Sequence, residues 1–139
     1  MNVFYLDQSP TRAAQLQCDQ HVVKMILESA QLLSTAHHEL DGTSPAYKPT
    51  HKNHPSAVWA RSNSRHYRWL YDHMMALGDE YTRRYGKTHL TIQKHSETLR
   101  EPPTAISVSD FVEPPQCMPD ECKRPSAVEG YQVYYKRKG

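Results

Sequence analysis

Residues 18–33 (Cys-Asp-Gln-His-Val-Val-Lys-Met-Ile-Leu-Glu-Ser-Ala-Gln-Leu-Leu) place apolar side chains around most of a helical circumference. With 3.6 residues per turn, Val22, Val23, Met25, Ile26, Leu27, Ala30, Leu32 and Leu33 leave only one polar stripe. Along it run Gln17, His21, Lys24, Glu28 and Gln31, at intervals of three or four. A helix apolar over so wide an arc is expected to be largely buried, and the rest of the chain must wrap it. A carboxylate and an amine on such a helix need partners, or a site that uses them. Glu28 is therefore the first candidate for a catalytic group.

Helical signals continue on either side. Ser9 is placed to cap a helix whose first position is Pro10, where a missing N–H costs nothing. That helix is expected to run from about Pro10 to about His37. Pro45, Pro49 and Pro55 exclude regular helix between Gly42 and Pro55. Beyond Pro55, Tyr67, Leu70, Tyr71, Met74, Leu77, Tyr81 and Tyr85 keep helical spacing, with Gly86 as the stop. Ser62-Asn63-Ser64 is a place where this segment can divide into a short and a long helix. A further helix spans about Leu90 to Leu99, and a last one about Ser126 to Lys136. Residues 102–125 hold six prolines and little periodicity, so they form a long ordered loop or a mobile strap. Residues 2–6 are short and β-prone. The expectation is an all-α chain, a single compact domain over 1–139 of about three to four helices with long Pro-rich connections.

Seventeen Lys+Arg against fifteen Asp+Glu leave a formal charge of +2, which alone does not argue for nucleic acid. The distribution says more. Arg61, Arg65 and Arg68 cluster, as do Arg83, Arg84 and Lys87, and Lys136, Arg137 and Lys138 close the chain. Such groups suit phosphate contacts, and equally an ordinary solvated helix face. No signal peptide and no membrane-length apolar run are present, and three cysteines fit a reducing compartment. The expected setting is the cytoplasm, with no membrane partner and a monomeric chain.

Nine histidines invite a metal reading. Yet Cys117 and Cys122 are spaced C-x4-C, without a matching second pair, so no metal and no other cofactor is expected. Lys24 and Glu28 lie four apart, and their plainer account is an intrahelical ion pair. His21 on the same stripe raises the alternative of several titrating groups facing one cleft. At the C-terminus, Tyr131, Tyr134 and Tyr135 interleave with Lys136 and Arg137. Aromatic planes stack on bases while cations hold a backbone, although such tyrosines also anchor a helix to a core.

Asp19-Gln20-His21 followed by Glu28 resembles the first-helix motif of the phage pyrimidine-dimer DNA glycosylases of the endonuclease V type. The helix from about Ser64 to Gly86, with its basic turn, resembles that family's second helix. Tyr131-Gln132-Val133-Tyr134-Tyr135-Lys136 is similar to its aromatic tail; residues 88–125 match poorly. The resemblance implies an all-α enzyme that binds double-stranded DNA and acts on a base taken out of the stack. It implies an N-terminal α-amine that attacks the sugar C1′, a Schiff base, and strand cleavage by β-elimination. Glu28 would stabilise the cationic transition state and move protons, with His21 beside it.

In this chain the amine is that of Met1, since Asn2 disfavours removal of the methionine, and Lys24 is the alternative nucleophile. DNA contacts are expected from Arg61, Arg65, Arg68, Arg84 and Lys87, together with Tyr131, Tyr134, Tyr135, Lys136 and Arg137. The leading function is a DNA glycosylase/AP lyase acting on a damaged or modified pyrimidine. The alternatives are a thymine-modifying transferase on the same fold and a non-catalytic DNA-binding or inhibitory protein.

Overall fold

Local capping chemistry sets most of the helix limits in the computed structural model, which describes residues 2–138. Helix α1 (Pro10–Gln15) begins as its sequence predicts, with Ser9 Oγ accepting from the Arg12 amide and Pro10 in the first turn. It then stops. Cys18 adopts extended backbone and starts a separate helix, α2 (Asp19–Asp41), which Gly42 closes at φ 75°. The continuous helix expected from Pro10 to about His37 is thus two helices. The cause is distant in sequence: the Arg84 guanidinium donates to the carbonyls of Gln15 (3.2 Å) and Gln17 (2.9 Å). Those two carbonyls thereby have partners outside any helix.

Helix α3 (Pro55–Ser62) is capped by His54, whose Nδ1 accepts from the Ser56 amide at 3.0 Å. Asn63 separates it from α4 (Ser64–Tyr85), and its side-chain oxygen accepts from the amides of Arg65 and His66. Gly86, at φ 73°, ends α4 as the stop signal predicts. Helix α5 (Leu90–Leu99) is capped by His89, and α6 (Ala127–Lys138) follows a 3-10 turn at Asp120–Cys122. The chain is all-α, but with six α-helices among the described residues rather than three to four. The expected number falls short because side chains remote in sequence impose the break before α2, and Asn63 supplies the one between α3 and α4.

Helices α2 and α4 run antiparallel, as Arg84–Asp19 at one end and His37–Tyr67 at the other require. Between them lie Ile26, Leu33, Tyr67, Leu70, Met74 and Leu77, each no more than 1% exposed. Gly78 lets α5 approach, since a Cβ there would stand 2.8 Å from Ile92 Cγ1. The β-prone residues 2–6 form no strand; Val3, Phe4, Tyr5 and Leu6 are instead buried in the helical core.

The Pro-rich connection is ordered by hydrogen bonds at short intervals. Asp41 accepts from the amides of Thr104 and Ala105, and Ser64 donates to the Ser107 carbonyl. Trp59 Nε1 donates to the Val112 carbonyl, whose own amide donates to His66 Nε2. No described helix is long and apolar enough to cross a membrane.

Candidate active-site cavity

The stripe on α2 is real for His21, Lys24, Glu28 and Gln31 but not for Gln17, which precedes the helix. Gln17 is buried, and its Nε2 donates to His73 Nε2 at 2.8 Å, while His73 Nδ1 donates to the Pro10 carbonyl. Nor is α2 buried over its full apolar arc. Val23 and Leu27, expected in the core, are each 39% exposed. With Lys24, Glu28 and Gln31 they form one wall of a cavity of about 750 Å³.

The opposite walls come from loops that α2 itself holds. Ser34 Oγ donates to the Tyr47 carbonyl and accepts from the Tyr47 amide, and Thr35 Oγ1 accepts from the Thr50 amide. These two buried hydroxyls fix the α2–α3 connection so that Tyr47 and His51 face the cavity. Tyr47 Oη lies 3.1 Å from Thr91 Oγ1, which joins this loop to the start of α5. There His89, Leu90 and Thr91 complete the lining, with Leu90 58% exposed.

His51 has φ 50°, the only left-handed non-glycine among the described residues, with Nδ1 at 2.7 Å from Thr50 Oγ1. Histidine tolerates this region better than most residues, and such conformations concentrate at functional sites.

The Glu28 carboxylate is sunk into this wall at 13% side-chain exposure, whereas Lys24 is 64% exposed; their charged atoms lie 3.5 Å apart. Lys24 is thus solvated beside a carboxylate, which is not the dry surrounding that makes a lysine nucleophilic. Two imidazoles nearby are held neutral. Burial lowers the pKa of His54, an effect that His51 reinforces and the Glu28 carboxylate opposes. Burial also lowers that of His89, against the hydrogen bond it gives the Val23 carbonyl. Glu28 is therefore the carboxylate of a cavity whose rim is mostly apolar or neutral.

His21 is near this wall in sequence but does not line the cavity. Its ring stacks on Phe4 with centroids 4.2 Å apart, and its Nδ1 meets Tyr135 Oη at 2.5 Å. It binds the N-terminal segment and α6 to α2. Met1 lies outside the described residues. Among the described residues no three His, Cys, Asp or Glu side chains converge as metal ligands.

The basic and aromatic candidates divide into two groups. Arg84, 16% exposed, contacts Glu80 at 3.0 Å and Asp19 at 2.9 Å besides the two carbonyls, so the fold uses its guanidinium fully. Arg137 is held by Glu121 at 2.6 Å. Tyr131 is fully buried, its hydroxyl donating to the Pro115 carbonyl, and Tyr134 and Tyr135 are half-buried. Arg61 donates to the Lys52 carbonyl, and Arg65 stands 3.7 Å from the solvated Asp110. Arg68 lines a small cleft with Tyr71, Asp72 and Arg100. Lys87 and Lys136 are exposed.

Sequence reasoning brought Lys24 and Glu28 together but missed Tyr47, His51, His89 and Thr91. The usable signal for His51 was its place in the proline-bounded loop between Pro49 and Pro55. The hydroxyls of Ser34 and Thr35 on an otherwise apolar helix also had to bond something.

Comparison with known protein families gives a match to the model of the pyrimidine dimer DNA glycosylases over residues 1–93. That is about two thirds of the 139 residues. It takes in α1 to α4, the start of α5 and every residue that lines the cavity, and it stops before the Pro-rich strap and α6. No curated protein and no solved structure matches the chain.

Proposed function

Because the chain belongs to the pyrimidine dimer DNA glycosylase family, we propose that it releases a damaged or modified pyrimidine from double-stranded DNA and cleaves the abasic product. The observation that carries this reading is the placement of Glu28. It is a carboxylate one-eighth exposed in the wall of a cavity, and the matched family region contains that whole cavity.

In this reading the neutral α-amine of Met1 attacks C1′ of the target nucleotide. A bond forms from nitrogen to C1′ as the C1′–base bond breaks, and the base departs with the electron pair and takes up a proton. An α-amine, with a pKa near 8, is partly neutral at pH 7, which an ordinary lysine is not. Ring opening then gives an iminium ion. Glu28 stabilises the positive charge that develops at C1′ and, as a base, removes the C2′ proton that lets the 3′-phosphate leave. Lys24 serves here as the ion-pair partner of Glu28 rather than as the nucleophile. His21 acts on the site from outside by fixing residues 2–6 against α2 through Phe4. An extruded base enters the cavity between Leu27 and Leu90.

Borohydride trapping on abasic duplex DNA tests the reading. A covalent adduct is expected from the native protein and not from protein with an acylated N-terminus; an adduct that survives acylation but not Lys24→Ala moves the nucleophile to Lys24. Glu28→Gln is expected to lower base release about 100-fold or more with DNA affinity nearly intact. Undiminished turnover removes Glu28 from the mechanism, and binding without trapping by the native protein turns the assignment to a non-catalytic DNA-binding protein.

A further inference from the structure

We propose that a second cleft, where the N-terminal segment meets α4 and the Pro-rich strap, binds an alkylated ammonium group, a tertiary or quaternary amine. Tyr5, Gln8, Trp69, Phe111 and Glu113 line it around about 410 Å³. It shares no lining residue with the Glu28 cavity, and Phe111 and Glu113 lie beyond the residues that the family model matches. The inference therefore stands apart from the glycosylase reading.

Three aromatic rings set the walls. The Tyr5 centroid lies 5.0 Å from that of Trp69 and 6.2 Å from that of Phe111. The outer two rings are held in place: Trp69 Nε1 donates to the Gln8 carbonyl at 2.9 Å, and Phe111 meets the rings of Trp59 and His66 edge-on at 5.9 and 5.3 Å. Tyr5 is only 3% exposed, yet its hydroxyl has no hydrogen-bond partner among the described residues. Glu113 supplies the charge. Its Oε1 accepts from the Ala127 amide at the start of α6 (3.1 Å), which fixes the carboxylate, and its Oε2 has no partner among the described residues. Burial, then Glu113, then Asp7 hold the Tyr5 hydroxyl above its ordinary range, so it offers the cleft an uncharged hydroxyl. Of the seventeen Lys and Arg in the chain, none lines this cleft.

Aromatic faces carry a negative quadrupole and attract a cation placed over them, and a desolvated carboxylate adds to that field. The number of acceptors decides which amine fits. A primary ammonium brings three N–H donors that must be met once it leaves water, and here only a carboxylate oxygen and one hydroxyl face it. A trimethylammonium brings none, and its methyl groups pack against the rings. The remainder of such a ligand reaches solvent past the exposed Gln8.

The experiment titrates native protein with choline and with the neutral isostere dimethylbutanol, in which carbon replaces the charged nitrogen. Calorimetry gives the affinities, and NMR of the Trp69 indole N–H, assigned with Trp59→Phe, locates the site. Choline is expected to shift that signal and to bind at least about tenfold more tightly than the alcohol. Equal affinities, no choline binding, or binding that leaves the Trp69 signal in place overturns the proposal. Free trimethyllysine is expected to bind at least about tenfold more tightly than lysine, and equal binding overturns the assignment to an alkylated amine. Glu113→Gln keeps the oxygen that accepts from Ala127, and Phe111→Leu keeps bulk without a ring. Each is expected to weaken choline binding about fivefold or more and to leave the alcohol nearly unaffected. Unchanged choline affinity in either variant overturns the proposal. The comparison of choline with its isostere uses native protein alone, so it decides the matter even where a substitution unfolds the chain. A peptide with a single trimethyllysine separates the sources of the cation. Affinity well above that of the free amino acid assigns the group to a protein partner, and equal affinity assigns it to a small free cation.

Discussion

His73 shows how much one side chain can carry in a helical core. It is fully buried, donates to the Pro10 carbonyl and accepts from Gln17, and burial lowers its pKa to about 4. Its ordinary value is 6.5, so the unfolded chain takes a proton between these limits that the folded chain refuses. Stability therefore falls as pH drops from 6.5 toward 4 and is unaffected by this group above that range. Between pH 7 and pH 5 the loss is about 2 kcal/mol. His73→Leu is expected to lower stability at pH 7, because it orphans the Pro10 carbonyl and Gln17, but to flatten the pH dependence by that amount. Urea unfolding at the two pH values measures it, and an unchanged difference assigns the acid sensitivity elsewhere, for example to His66, which burial also holds low. Gln17 Oε1 is the one buried side-chain polar atom left without a partner among the described residues, so this node is also where the core is least satisfied.

At the scale of elements, Asn63 does three things at one junction. Its oxygen caps α4 through two amides, its Nδ2 donates to the Asp110 carbonyl of the strap, and its extended backbone separates α3 from α4. Asn63→Ala is expected to cost about 1–2 kcal/mol, at the upper part of the range for a lost cap. Amide exchange is expected to speed up first in residues 107–112, which lose a tie; exchange that rises only in α4 limits the effect to the cap. Junctions of this kind were legible in advance because their causes are local: Ser9-Pro10, His54-Pro55 and Gly86 all act within a few residues of the boundary they set, whereas α2 runs past the expected end at about His37 to its cap at Gly42. The break between α1 and α2 was not legible, because Arg84 imposes it from the far end of α4. The cavity was half legible for the same reason. Lys24, Glu28 and Gln31 share a helix face by arithmetic, while Tyr47 and His51 reach it only because Ser34 and Thr35 fold a loop back. Val23 and Leu27 looked like core because hydropathy marks an apolar wall and an apolar interior alike.

Over the whole molecule, the small net charge of +2 conceals two populations of basic residues. Arg84 and Arg137 are tied to acids and carbonyls inside the fold, while Lys87 and Lys136 reach solvent without an ion-pair partner among the described residues. Lys87 stands two residues before His89 and so belongs to the turn that forms one edge of the cavity. If the protein grips duplex DNA there, each lysine that touches a phosphate releases about one counterion. Lys87→Ala then lowers the slope of log affinity against log salt by about 0.9. Arg84→Ala is expected to behave differently. It removes one of the two guanidinium groups on Glu80, only 9% exposed at its side chain, where Arg83 remains at 2.7 and 3.1 Å, and it frees the carbonyls that permit the break before α2. The carbonyls left without that donor make its cost about 1–3 kcal/mol of stability, with the salt slope unchanged. Fluorescence anisotropy on one duplex between about 50 and about 200 mM salt, beside urea unfolding, separates the two effects. A slope that falls with Arg84→Ala at full stability puts that guanidinium on the DNA after all. A native slope near zero removes phosphate contacts from the mechanism, and the cavity must then recognise its base without the backbone that presents it.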